Sequence, residues 1–261
     1  MLYSGVDVGS LSTEVVIIDD DAKIISSLII LTGPSSRKAA IGCWEEALRR
    51  ASLTAQDVAC VVSTGYGRKQ VPFSDKTVTE ITCHARGAKY FHDDARTIID
   101  IGGQDTKVIR IDADGRVVNF LMNDKCAAGT GRFLEVMSET LEVDLEDMGR
   151  LSLTAKKGLS ISSMCTVFAE SEVISLIAEG KAVCEILWGL HDSVALRTMG
   201  LLDQIGREPD IFMSGGVAKN SGVVEAVGRR LGEKIHRASD PQIVGAMGAA
   251  LIAKDLWEST S

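Results

Sequence analysis

Two stretches of the chain, DVGSLSTEVVIID (Asp7 to Asp19) and DIGGQDTKVIRID (Asp100 to Asp112), align without a gap. The alignment pairs Asp7 with Asp100, Gly9 with Gly102, Thr13 with Thr106 and Asp19 with Asp112. Each stretch has a short apolar lead-in ending in Asp, a small-residue loop, a β-branched run and an acidic turn, DDDAK or DADGR. That is the pattern of a β-hairpin, here used twice.

The repeat runs further. STGYGRKQ (Ser63 to Gln70) resembles MSGGVAKN (Met213 to Asn220), each a strand running into Gly-rich punctuation. Helical spacing is read over Lys38 to Ser52, Val78 to Phe91, Gly131 to Leu141, Cys165 to Ala178, Ala182 to Ile205, Ser221 to Leu231 and Val244 to Leu256. Strands are read over Val58 to Ser63 and Asp210 to Met213. Alternating strands and helices with two hairpin starts predict an α/β protein of two lobes, residues 1–96 and 97–242, with a hinge near Arg96. The C-terminal helix, residues 243–257, is expected to pack back on the first lobe.

A chain of 261 residues is long enough to bury the cores of both lobes. Its net charge of −8 argues against a general binder of nucleic-acid backbones, which needs clustered Lys and Arg. No apolar run approaches the roughly 18 residues of a membrane span, and Asp7 interrupts the N-terminus too early for a signal peptide. A cytoplasmic protein without membrane attachment is expected. Six cysteines in a chain this long, with no CxxC pair, suggest neither a disulfide framework nor a zinc knuckle.

A turn of Gly, Ser and Thr exposes backbone N–H groups that can converge on phosphate oxygens. The Asp opening each turn would repel phosphate unless a divalent cation stood between them. Mg²⁺ suits that place, since it takes one or two carboxylates together with phosphate oxygens and waters. Asp7 and Asp100 are the candidate Mg²⁺ carboxylates, and the turn Ser214-Gly215-Gly216 would let a flat base approach the backbone. Neither a Walker A sequence nor GxGxxG is present. The arrangement resembles the superfamily of acetate and sugar kinases, heat-shock chaperone ATPases and actin. That resemblance implies a two-lobed ATPase fold and ATP, and leaves the task open.

Two cysteines stand apart from the rest. NDKCAAGTGRFLE puts Cys126 before a Gly-punctuated helix start, and SISSMCTVFAESEVISL puts Cys165 at the first turn of a helix after a Ser-rich lead-in. A helix N-terminus stabilises thiolates and anionic clusters. Cys43, Cys60, Cys83 and Cys184 fall inside helical or strand patterns and read as inert buried thiols. Two thiolates are half of an iron–sulfur cube's ligands, and a twofold dimer would supply four. From position alone, this reading and a merely structural one both stay open.

The segments DVGSLST, TGYGR, DIGGQDTK, NDKCAAGTGRF, SSMCTVFAESEVI and SGGVAKN, in that order, resemble the activator components of 2-hydroxyacyl-CoA dehydratases. The same family includes ATPase subunits of benzoyl-CoA reductase and reductases of double-cubane-cluster proteins. The resemblance implies a homodimer holding one [4Fe-4S] cluster between Cys126 and Cys165 of both chains. It also implies ATP hydrolysis that drives low-potential electrons, received from a donor such as ferredoxin or flavodoxin, into an iron–sulfur dehydratase or reductase partner under anaerobic conditions.

Carried onto this sequence, the resemblance makes Gly9, Ser10, Ser12 and Thr13 the first phosphate loop and Gly102, Gly103, Gln104 and Asp105 the second. Gly215, Gly216 and Val217 border the nucleoside, with Gln242 nearby. Gln104 is the candidate for orienting the attacking water, since an amide both donates and accepts, with Asp105 competing as a base. One departure stands out: position 14 is commonly Lys in the family and is Glu14 here, whereas the second loop keeps Lys107. The rival readings are a small-molecule kinase of the same superfamily and an actin-like or chaperone-like module. Neither accounts for Cys126 and Cys165.

Overall fold

The computed structural model describes residues 1–162 and 165–260. In the first half, β1 (Leu2–Val8), β2 (Ser12–Asp19) and β3 (Ile24–Leu31) form a meander, followed by α1 (Ser36–Arg50), β4 (Val58–Thr64), β5 (Lys76–Thr77) and α2 (Glu80–Phe91). The second half repeats the plan with β6 (Thr97–Ile101), β7 (Thr106–Ile111) and β8 (Val117–Asn123). Helices α3 (Gly131–Leu141), α4 (Met148–Ser152), α5 (Thr166–Ala178) and α6 (Val183–Ile205) come next. The chain then runs through β9 (Ile211–Ser214), α7 (Ser221–Leu231), β10 (Ile235–His236) and α8 (Val244–Thr260).

The two five-stranded sheets have one topology, with orders β3-β2-β1-β4-β5 and β8-β7-β6-β9-β10. Pairing repeats to the residue. Asp7 faces Glu14 on one side and Thr64 on the other, while Asp100 faces Lys107 and Ser214. Both meanders are antiparallel, and β4 and β9 add parallel to the central strands. The third strands, β3 and β8, extend the hairpin reading: the acidic turns reverse the chain a second time, because Asp19 and Asp112 each cap the turn with a carboxylate accepting backbone N–H groups.

Strand alternation distributes the core. Tyr3, Val16 and Ile18 face α8, while Val6, Val8, Val15 and Ile17 face α1 with Trp44 and Leu48. In the second lobe Ile99, Ile101 and Val108 pack under α3, α6 and α7, and Ile98, Ile109 and Ile111 pack against α2. Small residues bring α8 into direct backbone contact with its neighbours. A Cβ on Gly5 would overlap the carbonyl oxygen of Ala246, and one on Gly87 that of Val244. Helix α8 thus lies against β1 and α2, and α2 reaches both sheets from between them.

A buried polar knot fixes α4, α6 and α7 to one another. His191 Nδ1 lies 2.9 Å from the Ser152 hydroxyl and its Nε2 3.2 Å from the Asn220 amide nitrogen. Asn220 Nδ2 can only donate, so Nδ1 carries the ring proton and donates to Ser152, whose own hydroxyl donates to Gly149 O. Burial drives the His191 pKa down to about 4. The unfolded chain takes up a proton near the ordinary value of 6.5 that the folded chain refuses. The contribution of neutral His191 is therefore full above about pH 6.5 and is expected to fall by up to about 3 kcal/mol as pH drops toward 4. Urea unfolding across that window checks this, and His191→Gln should flatten the part of the slope that His191 contributes.

Candidate functional site

The two hairpin turns meet between the lobes. Each closes with the same bond, Gly9 N to Ser12 O and Gly102 N to Asp105 O, both 2.9 Å. A Cβ on Gly103 would run into the side chain of Leu11, so the loops touch each other. Ser10 and Gln104 are exposed at the loop tips, and Ser12 is half-buried. Thr13 turns inward: it is fully buried, and its hydroxyl lies 2.9 Å from that of Thr32, which donates to Gly9 O. The first turn can offer Ser10 and Ser12 hydroxyls to a phosphate; Thr13 holds the turn's shape.

Behind the turns stand the two aspartates. Gly65 and Gly215, at φ +89° and +84°, bring the ends of β4 and β9 onto Asp7 and Asp100 respectively, a backbone course open to glycine. Asp100 is 2% exposed, accepts from the Ser214 hydroxyl at 3.0 Å and pairs with Lys107 at 3.2 Å. Burial pushes its carboxyl up, but His84, Lys107 and Ser214 together hold it below the usual carboxylate range. Lys107 also reaches Asp105 at 2.6 Å and Glu80 at 2.9 Å. Although burial pulls the ammonium down, these three carboxylates keep its pKa above the ordinary value. Burial likewise raises Asp105, against the pull of Lys107.

Asp7 has the opposite surroundings. Burial first, then Glu14 and Glu80, hold its carboxyl well above the usual range. His84, from the first turns of α2, bridges the two aspartates, 3.4 Å from Asp100 and 3.9 Å from Asp7. The cleft therefore has a neutralised acid on the second lobe and an uncompensated one on the first, and Asp7 is where a cation gains most. His84 and Glu80 carry no motif, because a helix between the lobes brings them in from outside both hairpins.

Glu14 occupies the strand position that Lys107 has in the second lobe, and it points into the cleft. Its carboxylate accepts from Gln242 Nε2 at 3.0 Å, and the same amide reaches the Ser12 hydroxyl at 2.8 Å. Burial raises the Glu14 pKa to about 7. Where the second lobe has Lys107, the first thus has a link from its loop to Gln242, beside Gly216. Gly216 is exposed, whereas Val217 is 4% exposed and packs into the second core, so of the two only the glycine is open at the surface.

The cysteines divide as their positions suggest. Cys43, Cys60 and Cys83 are buried, with Cys43 and Cys83 pushed up to about 12 by burial, and Cys184 is half-buried. Cys126 and Cys165 are exposed, and burial pulls the Arg197 guanidinium of α6 below its ordinary value against the charge of these two thiols. Cys165 is the N-cap of α5 rather than part of its first turn, since its backbone is still extended. Of its Ser-rich lead-in, Ser163 and Met164 lie outside the described residues. Cys126 stands five residues before α3, whose N-cap is Thr130; the turn AAGT intervenes. This turn joins the two sites. Gly131 N and Arg132 N, opening α3, donate to Gly102 O and Gly103 O at 2.8 Å each, and the Thr106 hydroxyl donates to Gly129 O at 3.2 Å.

Residues 4–253 match the model of the BadF/BadG/BcrA/BcrD ATPase family. The chain belongs to this family. It is 48% identical over 255 residues to the activator of lactoyl-CoA dehydratase from Anaerotignum propionicum, covering 97% of both chains. The ADPNP-bound activator of 2-hydroxyisocaproyl-CoA dehydratase from Clostridium difficile superimposes with a TM-score of 0.94 at 44% identity, covering 100% of this chain and 97% of that one. A ROK family glucokinase from Streptomyces griseus, complexed with glucose and AMPPNP, superimposes at 0.62 with 15% identity over 98% of this chain and all of the other. That likeness carries the two-lobed fold alone. The family is one of ATPases, and no helix among the described residues is long and apolar enough to cross a membrane.

Proposed function

We propose that this ATPase is an activator of a 2-hydroxyacyl-CoA dehydratase-type enzyme, coupling hydrolysis in the cleft to the delivery of single electrons. The observation that carries this reading is the pair of hydrogen bonds from Gly131 N and Arg132 N, at the start of α3, to Gly102 O and Gly103 O, with Cys126 five residues before that helix. ATP lies across the two turns, with phosphates against the Ser10, Ser12, Gly102 and Gly103 backbone and the nucleoside beside Gly215, Gly216 and Gln242. Asp7 and Asp100 would hold Mg²⁺ through water, and the ion would offset their charge against the phosphates. Gln104 orients the attacking water, since its exposed amide makes no hydrogen bond to the described residues, whereas Asp105 is drawn onto Lys107.

Cys126 and Cys165 fit a shared [4Fe-4S] cluster: both thiols are exposed, both act electrostatically on the Arg197 guanidinium, and the other four are at least half-buried. Such a cluster supplies one-electron transfer at low potential. Helix α5, which Cys165 caps, leaves Val167, Phe168, Ile174 and Ile177 exposed along its length, apolar surface suited to a second copy of the chain. Movement of the second loop on hydrolysis pulls the α3 start and with it the Cys126 turn. An exposed cluster on a dimer axis would be oxygen-labile, which fits an anaerobic setting, and the family resemblance adds a ferredoxin- or flavodoxin-like donor in the cytoplasm.

Iron and acid-labile sulfide per chain after anaerobic purification, beside a sedimentation mass, test the reading. About two irons per chain in a dimer are expected, with loss of iron in Cys165→Ser. An iron-free monomer after anaerobic reconstitution would remove the electron-transfer role.

A further inference from the structure

On the second lobe, where α2 ends and β9 begins, three side chains outside the nucleotide cleft converge. His92 is the C-cap of α2, its backbone N–H bonded to Ala88 O at 2.9 Å. Asp210 directly precedes β9, and its carbonyl accepts from Arg96 N at 3.0 Å. His236 closes β10 in register with Phe212. All three backbones are therefore held by secondary structure, and the side chains meet because of it. The imidazole rings stack with centroids 4.0 Å apart and planes within 11°. Each Nε2 lies 3.8 Å from the same Asp210 Oδ1, and the three donor atoms fall within 4.8 Å of one another.

These distances are too long for hydrogen bonds. His92 Nε2 is nonetheless buried and has no hydrogen-bond partner among the described residues, a costly state for a ring nitrogen. An ion bound by imidazole nitrogens and a carboxylate oxygen at about 2.0–2.2 Å needs tetrahedral donor separations of roughly 3.3 Å. The two His–Asp spacings are about half an ångström wider, and the stacked rings must also swing apart so that both Nε2 lone pairs, which lie in the ring planes, converge on one ion. We propose that His92, Asp210 and His236 form a binding site for a divalent first-row transition ion of the Zn²⁺ class. Two imidazoles and one carboxylate match the ligand preference of such ions rather than of Mg²⁺ or Ca²⁺. Asp210 is 46% exposed on its side chain, which leaves room for water to complete the coordination. The ion ties the end of α2 to the base of β9. The opposite ends of these elements carry His84 and Ser214 in the cleft, so the site braces the helix between the lobes without touching nucleotide.

Co²⁺ titration of the full chain, followed by visible absorption, is the test, with Zn²⁺ as competitor. In the Cys126→Ser/Cys165→Ser double variant, which removes the cluster thiolates, one Co²⁺ per chain is expected, with ligand-field bands, no thiolate-to-cobalt charge-transfer band, and displacement by Zn²⁺; the parent chain should show these bands as well. They should be lost in His92→Ala, in His236→Ala and in the near-isosteric Asp210→Asn, each checked for a native circular dichroism spectrum. Unchanged stoichiometry in all three variants, binding that depends on the cysteines, or no Co²⁺ bound by the parent chain would each overturn the site.

Discussion

Gln104→Ala should slow ATP hydrolysis by about 100-fold while leaving thermal stability within about 1 kcal/mol of the parent. The side chain stands exposed at the tip of the second loop and makes no hydrogen bond to the described residues, so its loss costs the fold little. Its proposed task is to hold a water in line with the terminal phosphate, and a positioned donor–acceptor of this kind contributes about 10²–10⁴ in rate. Asp105 is the competitor, but its carboxylate is 2.6 Å from the Lys107 ammonium and is spent on that pairing. Steady-state turnover at saturating ATP separates the two. A fall of only a few-fold in Gln104→Ala, with a far larger one in Asp105→Asn at unchanged stability, would transfer the role to Asp105.

Lys107→Ala is expected to destabilise the protein by about 3–5 kcal/mol, the cost of leaving buried carboxylates without their cation. The lysine is 3% exposed and compensates Asp100, Asp105 and Glu80 at once, from both sides of the cleft. Without it three acids face each other around His84. The loss should shrink as pH falls and the carboxylates take up protons, because the repulsion that replaces the ion pairs is then relieved. Urea unfolding of parent and variant at pH 7 and pH 5 measures both effects. A loss below 1 kcal/mol at pH 7 would mean that water or rearrangement compensates the acids and that Lys107 is not the electrostatic centre of the second lobe.

Much of this protein was legible in one dimension because it is built from a duplication. The gapless match of Asp7–Asp19 to Asp100–Asp112 predicts two equivalent hairpins, and the sheets repeat it to the residue, Asp7 opposite Glu14 and Asp100 opposite Lys107. Period-two alternation and glycine punctuation are local properties, so a sequence carries them openly. The exposed pair Cys126 and Cys165 also stood out, by lying outside any strand or helix interior. What needed the fold is what arrives from elsewhere in the chain. His84 and Glu80 enter the cleft from α2; Gln242 closes on Glu14 from more than 200 positions away, and His92 meets Asp210 and His236 across three elements. The inward turn of Thr13 depends on Thr32, a partner from the neighbouring strand's end. Backbone pattern is written residue by residue, but charge compensation and ligand convergence are sums over neighbours that only tertiary packing assembles.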